Sequence, residues 1–214
     1  MRQSANITIA GMLAALAVSS TIAQEANPAG IKPGTAEQAP GMPAANEPNT
    51  QDRLFVQLVG AGGMAEVDMG KLADGKAHSA AVKAFGRRMV QDHSESNDQL
   101  ALLAKQSGIA MPSEPGDDNE AMRRKLEAAD GAAFDLLYLR GQLVDHQKTI
   151  ALLEWEISAG QDATLQRFAS KTLPVVMQHL EMVQALLAEA TGAAPQGLAA
   201  ARDYSRPADP KAAR

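Results

Sequence analysis

Four stretches of this chain, each about 25–30 residues long, repeat apolar side chains at intervals of three and four, the spacing that lines one face of an α-helix. The first stripe, at about 52–76, is Leu54, Leu58, Ala65, Met69 and Leu72. The second, at about 79–107, is Val82, Phe85, Met89, His93, Ser96, Leu100 and Leu103. The third, at about 131–159, carries Phe134, Leu137, Tyr138, Leu152 and Trp155. The fourth, at about 163–190, carries Leu165, Phe168, Thr172, Val176, His179, Val183 and Leu186. A shorter amphipathic piece, at about 118–129, adds Met122 and Leu126. No stretch carries a strand pattern, and aromatic residues at 3% are too few for a β-sandwich or barrel.

Punctuation divides the stripes. Ser79 stands where the second helix needs an N-cap and Gly108 where it stops; Gly160 and Asp162 do the same between the third and fourth. Gly60, Gly62 and Gly63 interrupt the first stripe and predict either a kink or close helix–helix packing. Pro174 predicts a kink or a break in the fourth. Short turns make antiparallel hairpins of the first and second helices and of the third and fourth. Each stripe needs a partner, so the expected fold is all-α: an antiparallel four-helix bundle over residues 50–192.

The flanks read differently. Arg2, the uncharged apolar run 7–18 and the small residues at Thr21 and Ala23 have the layout of a secretory signal, residues 1–23. An uncleaved amino-terminal anchor is the competing reading, against which the run is shorter than the roughly 20 residues a bilayer needs. Residues 24–49, with Pro28, Pro33, Pro40, Pro43 and Pro48 and almost no large apolar side chain, read as a disordered spacer. Residues 193–214 read as a flexible tail. After signal cleavage no transmembrane span is expected, and the location is the periplasm. With 20 basic and 25 acidic side chains the net charge is −5, which gives nucleic acid nothing to bind. The absence of cysteine excludes disulfide scaffolds, thiolate metal sites, thiol catalysis and a lipoprotein anchor.

Chemistry is concentrated in the histidines. His93 and His179 occupy mid-stripe positions where leucine would be ordinary, His146 lies on the flank of the third stripe beside an inward Asp145, and Glu66 edges the first. Counted down from the turn-bearing end at 1.5 Å per residue, all four fall within roughly 16–26 Å and can share one layer. One potential ligand per helix at one level is how helical bundles build metal sites. A single inward histidine is more simply a core residue satisfied by a neighbour such as Asp92 or Asp145, and a polar layer can also serve to fix helix register. Met64, Met69, Met89 and Met182 lie within a turn of these residues, which adds copper to the divalent ions as a candidate cofactor; packing is the simpler role for them. No nucleophile elbow, phosphate-cradling loop, dinucleotide fingerprint or H-E-x-x-H occurs.

Several of these residues also carry a resemblance: Gly62-Gly63-Met64-Ala65-Glu66-Val67, Val82-Lys83-Ala84-Phe85, Met89-Val90-Gln91-Asp92-His93 with Asn97 and Leu100, Phe134-Asp135 with Tyr138, His146, and Leu173-Pro174 with His179-Leu180. In order and spacing this block resembles the domain of unknown function 4142 family, exported bacterial proteins with a ferritin-like helical bundle, some described as outer-membrane proteins. The resemblance implies fold and export and little chemistry. Val90, Leu143 and Val176 stand three residues before His93, His146 and His179, so the Glu-x-x-His pair of di-iron bundles is absent. The expected function is therefore that of an exported, non-enzymatic envelope or stress-related binding protein. The alternative is a metal-binding protein or metal-dependent enzyme using Glu66, His93, His146 and His179. The protein partner is not legible.

Overall fold

The computed structural model describes residues 47–193. Among these residues there are five helices and no strand: α1 (Thr50–Lys76), α2 (Ala80–Gln106), α3 (Asp117–Ala128), α4 (Gly131–Ala159) and α5 (Ala163–Thr191). The expected signal segment, nearly all of the spacer and the tail beyond Ala193 lie outside the described residues. No helix among the described residues is long and apolar enough to cross a membrane.

Side chains set the helix ends. Asn49 caps α1 by accepting from the Asp52 N–H at 2.9 Å, and Asp52 returns the bond by accepting from the Asn49 N–H. This reciprocal box satisfies two otherwise stranded donors. Ser79 caps α2 and Asp162 caps α5, as their sequence positions predict. Asp135, reaching across from α4, accepts from the N–H groups of His78 at 2.9 Å and Ser79 at 2.8 Å. Gly192, at φ 67°, ends α5 in the left-handed conformation that glycine adopts without steric cost. α5 runs through Pro174 without a break.

Two apolar clusters hold the long helices together. One gathers Met69, Phe85, Met89, Phe134, Tyr138, Leu139, Met182 and Val183. The other gathers Phe55, Val56, Leu100, Leu153, Leu165, Phe168 and Val176. Along α1 and α5 the chain passes from the second cluster to the first, and along α2 and α4 from the first to the second. Among the four long helices, the pairs in closest contact, α1 with α2 and α4, and α5 with α4 and α2, therefore run in opposite directions. Between the clusters lies a polar layer.

Two stripes are only partly where the sequence puts them: Ala65 and Met69 of the first and Phe134 and Tyr138 of the third are buried as expected, while Leu72, Leu137 and Leu152 are half-buried. Leu54 and Leu58 are 46% and 45% exposed, while α1 buries Asp52, Phe55, Val56, Gly60, Gly63, Glu66 and Gly70. The buried face is rich in glycine because α1 approaches its neighbours closely: a Cβ on Gly70 would stand 2.8 Å from the Gly86 carbonyl oxygen of α2. On α4, Trp155 is 38% exposed and Glu156 is fully buried, a turn from the buried Leu153. Asp52 Oδ1 accepts from the N–H groups of Gln161 at 2.9 Å and Asp162 at 3.1 Å. Glu156 lies beside it, and a Cβ on Gly160 would collide with the Glu156 carboxyl group. No hydrogen-bond donor among the described residues reaches either Glu156 oxygen. Burial, and then the neighbouring Asp52 carboxylate, push Glu156 up to about 8, so near neutral pH it is an acid that donates to Asp52.

Candidate metal centre

Helical periodicity carries three histidines into the polar layer. His93 follows Met89 by one turn on α2, His146 follows Gln142 by one turn on α4, and His179 precedes Val183 by one turn on α5. Their rings form a near-equilateral triangle, with centroids 5.8 Å apart for His93–His146, 5.5 Å for His93–His179 and 5.4 Å for His146–His179. Each ring brings one nitrogen within 4.8 Å of a nitrogen on each of the other two. His146 and His179 are 1% exposed and His93 is 9% exposed.

Hydrogen bonds fix which nitrogen is free on two of the rings. His146 Nδ1 is 2.9 Å from the Gln142 carbonyl oxygen, an acceptor only, so Nδ1 carries the proton and Nε2 the lone pair. His179 Nε2 is 2.9 Å from Asp92 Oδ2, so Nε2–H donates and Nδ1 holds the lone pair. Arg88, one turn before Asp92, pairs with the same carboxylate oxygen and holds it in place. The remaining nitrogens, His93 Nε2, His146 Nε2 and His179 Nδ1, are buried with no hydrogen-bond partner among the described residues. Buried polar atoms are rarely left so, and three of them on neighbouring rings, each of which brings one nitrogen within 4.8 Å of the others, mark a candidate donor set. A carboxylate or carbonyl behind each ligating ring is the usual second layer of a histidine metal site.

Electrostatics keep the rings neutral. Burial, and then the charges that His179 and His146 would carry, hold His93 well below the ordinary imidazole value. His146 falls to about 3, through burial first and His179 second, against the help of the Gln142 carbonyl. Burial also lowers His179, opposed by its hydrogen bond to Asp92. For Asp92, burial acts upward, but the bonds from His179 and Arg88 outweigh it and leave the carboxyl low. Neutral imidazole is the form that binds metal.

Glu66 does not join the triangle. It lies behind His146, with Oε1 3.9 Å from Nδ1, the nitrogen turned away from the lone-pair side, and Oε2 accepting from Gln142 Nε2 at 2.7 Å. Burial, with the Asp145 charge adding to it and the Gln142 bond opposing, pushes Glu66 up to about 8. His146 is central on α4, where the sequence places it on a flank. Asp145, expected to point inward, is only partly buried and lines a cleft of about 200 Å³ with Glu66, His93, Asn97, Thr149 and Thr172. Asn97 lies against Gly63, whose missing side chain makes room for it. Met69, Met89 and Met182 pack in the apolar cluster beside the layer. Arg88 and Gln142 escape a sequence reading because one is charged and the other lies off the drawn stripe.

The sequence model of a family described as "Domain of unknown function (DUF4142)" matches residues 37–186. The chain belongs to the DUF4142 family. All three histidines lie within the DUF4142 match, which begins inside the segment read from sequence as a spacer. No curated protein matches the chain in sequence. Among solved structures, the DUF4142 chain is similar in fold to a DUF305 fragment from Deinococcus radiodurans, at TM-score 0.60 and 14% identity over 67% of this chain and 99% of that one. That likeness concerns the all-helical fold alone.

Proposed function

We propose that this DUF4142 protein is an exported, non-enzymatic metal-binding protein, a ferritin-like four-helix bundle that holds one d-block cation on His93, His146 and His179. The observation that carries the reading is the meeting of three neutral, buried imidazoles, each with an unpartnered nitrogen and each bringing one nitrogen within 4.8 Å of the others. Nitrogen donors without thiolate suit copper and zinc better than magnesium or calcium, which take oxygen ligands. An ion midway between nitrogens 4.8 Å apart would sit about 2.8 Å from each, so the rings must close by under about 1 Å to reach bonds of about 2.0–2.1 Å. Glu66 serves this reading as a support for Gln142 and His146 rather than as a ligand.

The hydrogen bonds Asp92–His179 and Glu66–Gln142, each joining two helices, favour a second reading in which the layer only fixes helix register. Thermal unfolding with and without added zinc or copper separates the two. A ligand that binds only the folded state raises Tm by mass action. The metal reading predicts a rise of several degrees that His93→Ala abolishes. A register layer predicts that the substitution destabilises the protein while added ion changes nothing.

A further inference from the structure

Taking the three-histidine centre as a metal site, we propose that it selects copper(I) over divalent ions. The first ground is charge. Among the described residues the converging donor atoms all belong to histidines, and no carboxylate joins them. The nearest anion, Asp92, is engaged by Arg88 as well as by His179, so its charge is offset within the same network. The desolvation cost of an ion grows as the square of its charge, so a dication in this neutral pocket pays about four times what a monocation pays.

The second ground is coordination number. Zinc takes four ligands, and where the protein supplies three a water or substrate fills the fourth position. Here the three unpartnered nitrogens are buried, apolar clusters lie on both sides of the layer, and of the three rings only that of His93 borders the polar cleft. The Phe85 ring stands 6.5 Å from that of His146. A closed-shell copper(I) ion is satisfied by three nitrogens in a plane and needs no water, whereas copper(II) seeks a tetragonal set. His93 alone of the three lines the cleft, so the ion enters past its ring.

The test is an anaerobic competition on the full folded chain. Copper(I), kept reduced by ascorbate, is offered against a chromogenic copper(I) chelator, and zinc(II) against a fluorescent zinc chelator. The expected result is one copper(I) per chain, bound roughly a thousandfold or more tighter than zinc(II). X-ray absorption of the loaded protein then gives three nitrogen neighbours and no fourth ligand. His146→Gln, with its fold checked by circular dichroism, should lose most of that affinity; should the variant not fold, the absorption spectrum of the wild type decides. Zinc binding as tightly as copper(I), or a fourth light-atom ligand in the spectrum, overturns the selectivity and leaves the metal site standing. If neither ion binds, both readings fall.

Discussion

At the scale of single residues, the centre depends on groups that no ion would touch. The Gln142 carbonyl and the Asp92 carboxylate each hold the far nitrogen of a ring, which sets the tautomer and aims the lone pair inward. Asp92→Asn keeps an acceptor for His179 but removes the charge that holds Arg88. It should weaken metal binding about 10–100-fold, read by chelator competition, with little change in helix content. An unchanged affinity would show that Asp92 does not organise the site. His93 and His179 are legible in the sequence because each interrupts an apolar stripe. His146 is harder to place, because the stripe drawn through Leu152 and Trp155 follows large side chains, whereas the buried line of α4 runs through Tyr138, Gln142, His146, Leu153 and Glu156.

At the scale of helices, the stripe drawn on α1 fails at Leu54 and Leu58 and holds at Ala65 and Met69. The buried line of that helix includes Asp52, Gly60, Gly63, Glu66 and Gly70, residue types that a search for hydrophobic spacing discards. The lengths and ends of the helices were legible because caps and glycines are local signals, while the faces depend on neighbours. Close approach of α1 and α2 makes Gly86 a demanding position, since a Cβ there would lie 2.8 Å from the Ala73 Cβ and from the Gly70 carbonyl oxygen. Gly86→Ala should cost about 1–3 kcal/mol in urea unfolding. Gly62→Ala, with open space around it, should instead stabilise by about 0.4–1 kcal/mol. Equal effects at the two positions would contradict the close packing.

The contact between Asp52 of α1 and Glu156 of α4 gives a second helix-scale prediction. Glu156 has a folded-state value of about 8 against an ordinary 4.5. A raised carboxyl contributes stability that is complete below about 4.5 and is lost as pH rises through about 8. Glu156→Gln keeps a donor toward Asp52 and cannot ionise. Near pH 9 it should therefore be more stable than the wild type by roughly 1–2 kcal/mol, about 3–8 °C in Tm, and near pH 5 it should match it. A constant difference between the two proteins across that range would rule out a shared proton.

Across the whole molecule the two buried networks pull stability in opposite directions with pH. The histidines, held below their ordinary 6.5, favour the folded state above that value and cost stability as pH falls through their lowered values. Glu156 and Glu66 do the reverse from about 4.5 to about 8. The metal-free protein should accordingly be most stable between about pH 5 and 7, which a series of thermal scans would reveal. The central claim, that three neutral imidazoles point their free nitrogens at one place, is open to a direct measurement. Long-range proton–nitrogen NMR of the ¹⁵N-labelled histidines reports tautomer and ligation together. The account predicts His146 with its proton on Nδ1 and His179 with its proton on Nε2 near pH 6.5. It also predicts that one equivalent of copper(I) shifts the three unprotonated nitrogens together and leaves His78 unmoved. Rings of His93, His146 and His179 that titrate at the ordinary imidazole value of 6.5, or that an equivalent of copper(I) or zinc(II) leaves unchanged, would contradict it.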